Sequence, residues 1–314
     1  MSPPLLVLGV RRSGTTLLRV MLDRNSQLAV PDESYFVPQL AHRHRGRPDP
    51  DAFVDDLRRL PTLREWGVSP DEVRARLRPG MTTGEAIGAI YEAYAAGRGK
   101  PRWGDKTPMY MDYLPLLERL FPRARFVHLI RDGRDAALSF LAMPAGVVTR
   151  TWMHPRSPAA VAAQWRAQVR SARGLGARVG STRYHELRYE ELVADAEEAL
   201  RRICAFAALP FEPAMLAYAG EAEAARKPHQ RSLERPPTPG LRDWRADMST
   251  EDRAAFEGVA GDLLAELGYE TSRGPDARGR LHRARYAGLT TAWKAAAYAV
   301  QRSPLWRRRH PPLA

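Results

Sequence analysis

The residues best suited to chemistry begin at Gly9. Gly9 to Thr16 read GVRRSGTT, two glycines bracketing two arginines and a serine, with two threonines behind them. Glycine lets a backbone turn closely around a ligand, hydroxyls and free N–H groups donate to oxyanions, and a helix opening at Thr15 or Thr16 adds the positive end of its dipole. That set suits a phosphate or sulfate group. The run is close to a Walker loop, but Thr15 stands where that loop carries its lysine, so Arg12 supplies the cation from the other side. An ordinary β-to-α turn uses the same residue types for backbone reasons. The missing lysine disfavours a loop that cleaves ATP or GTP.

Further candidates lie downstream. Asp32 and Glu33 follow a short apolar segment, where a parallel sheet places its ligand-binding edge. Asp32 and Ser34 have a simpler reading as caps for a helix containing Tyr35, Phe36 and Val37. Glu33 has the weaker capping claim and suits a general base for an acceptor hydroxyl. Lys106, in DKTP, suits the stabilisation of charge developing on a leaving oxygen. A second apolar run, FVHLI, ends at Arg131 in RDGR, with Ser139 on the helix behind it. Arg131 stands where an NTPase would have its magnesium-binding aspartate. His154 and His185 are rival bases, one in a loop and one in an alternating, strand-like HELRY, and the histidines show no zinc spacing.

The elements that must hold these groups read as an α/β fold. Leu5 to Leu8 and Val10 form a continuous apolar run, the pattern of a strand buried on both faces of a parallel sheet, and Leu17, Leu18, Met21 and Leu22 follow at helical spacing. Residues 27–30, Phe126 to Ile130 and Tyr184 to Arg188 read as further short strands, and Trp103 to Lys106 as a short segment before Thr107–Pro108. Residues 52–98 read as three helices with turn signals at Pro61, Ser69–Pro70 and Pro79–Gly80, a helical insertion without recognisable chemistry. Helices are also expected over 112–120, 158–178, 196–208 and 249–267. Residues 1–276 read as one domain with its insertion at about 50–98, followed by a basic helical extension over 277–314.

Composition bounds the rest. The chain has 314 residues, 44% of them hydrophobic, enough for one large α/β core. No run approaches the ~20 apolar residues of a membrane span, and no signal segment is recognised, so a cytoplasmic setting is expected. Cys204, the one cysteine, fits a reducing compartment and, in RRICAFAAL, buried packing. Of the net charge of +13, nine Lys or Arg lie between Ala277 and Ala314 without an acid, leaving +4 for the remainder. Over 281–300, Leu281, Ala284, Gly288, Ala292, Trp293, Ala296 and Val300 share roughly one helical face. Docking of that face on the protein body is the expectation; an anionic membrane surface or a partner are the alternatives. Aromatics are not interleaved with the arginines, so nucleic acid is not expected as a partner.

Taken together, RRSGTTLLRVMLD, a following Glu, DKTP and IRDGRDAALS resemble the sulfotransferases that use 3′-phosphoadenosine 5′-phosphosulfate (PAPS), in the branch of the tyrosylprotein and related bacterial enzymes. The resemblance covers about the first 195 residues. It implies a P-loop-like α/β fold with a central parallel β-sheet flanked by helices, and transfer of a sulfuryl group to a hydroxyl of a small-molecule, carbohydrate or lipid acceptor without a metal. It implies that Arg12, Ser13, Gly14, Thr15 and Thr16 cradle the 5′-phosphosulfate and that Arg131 and Ser139 hold the 3′-phosphate. Lys106 matches the family's catalytic lysine, with Arg12 assisting, and Glu33 its general base. Tyr189 matches a residue near the adenine nucleotide, and the stretch from Ser232 to Arg242 a segment that closes over the donor. Met143 stands where the tyrosylprotein enzymes carry a further arginine, and the Ser232 to Trp244 interval is shorter, which argues against a peptide acceptor. A P-loop kinase and a noncatalytic basic adaptor are the competing classes.

Overall fold

The computed structural model describes residues 2–143, 155–217 and 243–302. Five parallel strands, β1 (Leu5–Leu8), β2 (Leu28–Ala29), β3 (Arg102–Asp105), β4 (Arg125–Ile130) and β5 (Tyr184–Arg188), form one sheet in the order β2-β3-β1-β4-β5. The central β1 pairs with β4 from Leu5 opposite Arg125 to Leu8 opposite His128, and with β3 through Leu5 opposite Gly104. The connections turn from one side of β1 to the other, so the strands' C-terminal ends line a crevice on one edge.

The helices, in chain order, are α1 (Thr15–Asp23), α2 (Val37–Arg43), α3 (Pro50–Leu57), α4 (Pro61–Trp66), α5 (Pro70–Arg74), α6 (Thr83–Ala96), α7 (Leu114–Leu120), α8 (Gly133–Leu141), α9 (Pro158–Val179), α10 (Tyr189–Ala194), α11 (Ala196–Ala207), α12 (Trp244–Asp247), α13 (Thr250–Glu266) and α14 (Ala277–Arg302). They cover both faces of the sheet. Alternation along β1 sends Leu5 and Val7 to a core shared with Leu18, Met21 and Leu200, and Leu6 and Leu8 to one shared with Ile87, Trp165 and Phe256. Each fully buried side chain of this size is worth about 1.5–3 kcal/mol, which fixes the strand at both faces.

Several boundaries differ from the sequence reading. The insertion holds four helices, because Gly67, at φ +68°, ends α4 and Ser69 opens α5 with a capping box to Glu72. It is no surface appendage: Phe53, Leu57, Leu63, Trp66 and Tyr91 lie in the same core as Leu6 and Leu8, and Tyr91 stacks on Trp103 of β3 at 4.5 Å. The helix expected over 112–120 begins at Leu114 as α7, preceded by a 3₁₀ turn, Pro108–Asp112, and by Tyr113 in a non-helical conformation. Asp32 and Ser34 do not cap α2, whose N-cap is Phe36 without a side-chain bond; Ser34 is spent elsewhere.

The largest revision concerns α14. The helix does dock on the body, packing on α13 and α9, but not through its stripe: Leu281, Ala284, Gly288, Ala292 and Ala296 are exposed. The inward side instead carries Gly279, His282, Arg283, Tyr286 and Thr290. Periodicity finds a stripe but does not say which way it faces.

Candidate active site

The C-terminal ends of all five strands contribute one predicted group each: Arg12 to Thr16 after β1, Glu33 after β2, Lys106 after β3, Arg131 after β4 and Tyr189 after β5. Because every strand is parallel, these groups fall on a single edge.

The loop after β1 is shaped for an anion. Arg12 and Gly14 both sit in the left-handed region, at φ +71° and +87°, with Ser13 between them donating its N–H to the Val10 carbonyl. A non-glycine residue at positive φ costs energy that the surrounding structure must offset, and such residues gather at ligand clamps. Alternating conformations of this kind turn successive N–H groups towards one concavity. No side chain caps α1, which leaves its first-turn N–H groups for a ligand. The Ser13 hydroxyl is fully buried and has no hydrogen-bond partner among the described residues. Gly14 is needed both for its φ and for space, since a Cβ there would lie 2.3 Å from the Tyr189 ring.

A second cationic loop abuts the first. Arg12 Nε donates to Ser139 Oγ at 2.9 Å, and Arg131 Nη1 to the Arg12 carbonyl at 3.4 Å. The Arg131 guanidinium lies 4.6 Å from the Tyr189 ring centroid, while its Nε is buried with no partner among the described residues. The Arg131 carbonyl is fixed by Trp165 Nε1 at 3.2 Å. The two arginines of RDGR have divided duties. Arg134 is fully buried, paired at 2.7 Å with both Asp132 and Glu257 and stacked at 3.5 Å over Trp244, so it locks the loop to α12 and α13. This clamp escaped sequence reasoning because Glu257 and Trp244 are more than 100 residues away.

The third group brings acid and base together. Lys106 is wholly buried, and its Nζ donates to Glu33 Oε1 at 2.7 Å and to Thr16 Oγ1 at 3.2 Å. Burial pulls the Lys106 pKa below its ordinary value, against the opposing pull of Glu33. The hydroxyl of Tyr35 donates to the other Glu33 oxygen, Oε2; Tyr35 is itself at φ +55° and 43% exposed. Desolvation first, and Glu33 second, raise the Tyr35 pKa well above the ordinary phenol range, so the phenol keeps its proton.

Beneath Glu33 lies a buried network absent from the sequence reading. Asp105 Oδ2 accepts from Ser34 Oγ at 2.8 Å, Tyr91 Oη at 2.9 Å and Thr107 Oγ1 at 3.3 Å, while Tyr110 Oη lies 2.6 Å from Ser34 Oγ and holds Val37 N. Ser34 N also donates to Thr107 Oγ1. The turn carrying Glu33 is thus pinned to the DKTP segment and, through Tyr91, to the insertion. The only sequence signal was a run of hydroxyl residues around DKTP.

Burial lifts Asp105 from 3.8 to about 6 in spite of its hydroxyl donors. A folded-state carboxyl pKa above the unfolded one means that the native state binds the extra proton between pH 3.8 and about 6. Asp105 therefore favours the fold most below that window and loses the contribution as pH rises through it. Wild type is expected to lose about 2–3 kcal/mol relative to Asp105→Asn between pH 4 and 7, read from urea unfolding at each pH. A pH-independent difference between the two proteins would show that Asp105 does not titrate in this range.

The rival bases are placed differently. His185 lies on β5 stacked against Phe206 at 5.4 Å, remote in the fold from Glu33, and burial lowers its pKa. His154, Ser232 and Arg242 lie outside the described residues. Met143 packs against the core beside α8. Cys204 is buried in α11, and desolvation pushes its thiol up to about 11, the condition of an inert packing cysteine.

Comparison with known proteins agrees with this arrangement. A family profile described as "Sulfotransferase family" matches residues 3–213. Protein-tyrosine sulfotransferase A of Caenorhabditis elegans is 26% identical over 292 residues, covering 89% of this chain and 70% of the relative. Nodulation protein NoeE of Sinorhizobium fredii is 29% identical over 315 residues, covering 92% and 69%. Among solved structures, the sulfotransferase domain of the Synechococcus PCC 7002 olefin synthase superposes with a TM-score of 0.61 at 24% identity, over 86% of this chain and 97% of that one. That likeness shows the fold.

Proposed function

The chain belongs to the sulfotransferase family, and from that premise we propose that it transfers the sulfuryl group of PAPS to a hydroxyl of a small-molecule, carbohydrate or lipid acceptor, releasing adenosine 3′,5′-bisphosphate (PAP). The observation that carries the donor assignment is the Arg12–Ser139 hydrogen bond, which sets two anion loops side by side. One anion loop serves any nucleotide; two adjoining ones suit a donor with separate 5′ and 3′ anions. The unpartnered Ser13 hydroxyl and Arg131 Nε are the orphaned buried donors that such a ligand would satisfy.

In this reading Arg12, Ser13, Gly14, Thr15 and Thr16 hold the 5′-phosphosulfate, Arg131 and Ser139 the 3′-phosphate, and Tyr189 the nucleoside side. Ser232 and Arg242 are proposed to close over the donor. PAPS supplies a sulfuryl group on a phosphate leaving group. Glu33 takes the acceptor's hydroxyl proton as the acceptor oxygen bonds to sulfur and the bridging sulfur–oxygen bond breaks, its electron pair going to the phosphate. Lys106, between Glu33 and Thr16, and Arg12 stabilise the charge arriving on that phosphate. Tyr35 marks the acceptor's place, because its hydroxyl already donates to Glu33 Oε2. Entry of the acceptor requires the exposed Tyr35 ring to swing aside. Met143 in place of an arginine supports a non-peptide acceptor. We place residues 1–276 in one catalytic unit, its insertion welded into the core, and assign it to the cytoplasm.

Sulfur-labelled PAPS incubated with the chain and a panel of sugar, lipid and phenolic alcohols tests the reading. Label is expected in a hydroxyl acceptor, with release of the bisphosphate in equal amount. Label transfer from ATP's γ-phosphate instead would assign the chain to the kinases.

A further inference from the structure

We infer that the outward face of α14 is a docking face for an anionic lipid bilayer. The helix packs on α13 and α9, where Tyr286 lies against the core and polar anchors fix its orientation. Gly279 packs so closely on α13 that a Cβ there would lie 1.8 Å from the Gly258 carbonyl oxygen. Arg283 Nε donates to the Val259 carbonyl at 2.7 Å, and its Nη2 pairs with Asp262 at 2.9 Å. Asp276 caps the first turn through Gly279 N at 2.7 Å. These anchors turn Arg283 inward and leave the leucine-bearing side facing solvent.

The outward face is left apolar. Leu281 is 69% and Leu289 42% exposed, and Ala284, Gly288, Ala292 and Ala296 are exposed between and beyond them. Exposed Arg278 and Arg285 stand among them. From Ala277 to the end of the chain there are nine Lys or Arg and no acid. An apolar stripe flanked by arginines on a fixed helix has the composition that settles at the boundary of headgroups and acyl chains, where anionic lipid adds attraction for every cation.

Charge also decides among occupants. A second copy would bring the exposed Arg278, Arg280 and Arg285 against the same residues of its partner, so like-charge repulsion opposes a symmetric dimer here. Nucleic acid would satisfy the arginines but leave Leu281 and Leu289 in water. An anionic bilayer takes both components at once.

Flotation of the full-length chain with phosphatidylcholine vesicles, with and without phosphatidylglycerol, tests this. Binding is expected only to the anionic vesicles, weakening steeply with added salt. The double variant Leu281→Ser/Leu289→Ser is expected to bind them at least about tenfold more weakly, as is Arg278→Glu/Arg285→Glu, with near-ultraviolet circular dichroism and bisphosphate affinity unchanged. Equal binding to neutral vesicles, full binding by the leucine variant, or loss of a dimer in place of lipid binding would each overturn the proposal.

Discussion

Replacing Glu33 by Gln is expected to lower kcat by about 10²–10⁴, the range that general-base catalysis contributes. The amide keeps an oxygen to accept from Lys106 Nζ, now 2.7 Å from Glu33 Oε1, so the buried lysine keeps a partner and the turn held by Ser34 and Asp105 keeps its place. What is lost is a site for the acceptor's proton. Bisphosphate affinity is expected to stay within about threefold, because the anion loops are untouched. Full transfer activity in Glu33→Gln with the donor still bound would mean that another group accepts the proton.

Lys106→Ala is expected to cost about 10²–10³ in kcat with little change in the donor's KM. The reasoning concerns when the interaction is made. Before transfer the lysine is neutralised by Glu33; as the acceptor proton reaches Glu33, that neutralisation falls away and the full charge of Lys106 becomes available to the departing phosphate. The stabilisation is therefore greatest in the transition state, which lowers kcat and kcat/KM together when it is removed. Burial, which lowers the Lys106 pKa, also keeps solvent from screening the interaction. A loss confined to donor KM would assign Lys106 to ground-state binding.

Much of this site could be read before the fold was known, for reasons particular to it. The loop after β1 declared itself because a four-residue buried strand, a glycine turn and a helix are all local signals. Arg131 was legible for the same reason, following the buried run FVHLI, whereas Lys106 follows RWGD and was legible only through its DKTP motif. The contacts that join these pieces were not. Arg12 meets Ser139 across 127 positions, and Tyr91 reaches Asp105 from an insertion that looked chemically empty. Local pattern has no access to such pairings, since they are set by strand order rather than by neighbouring residues. Ser34 shows the limit most clearly. As a residue type just before a helix it reads as a cap, yet Asp105 and Tyr110 compete for its hydroxyl inside the fold and win. The face of α14 went astray in the same way, because tight Gly258–Gly279 packing decided the docking side against the apolar stripe.

The central claim is the two-part nucleotide site, and calorimetric titration with adenosine 3′,5′-bisphosphate tests it most directly. The wild-type chain is expected to bind the bisphosphate in preference to magnesium–ATP, and Arg131→Ala to bind it at least about tenfold more weakly, the loss of a charge-assisted contact to the 3′-phosphate. No bisphosphate binding at moderate salt, or equal affinity for magnesium–ATP, would contradict the account.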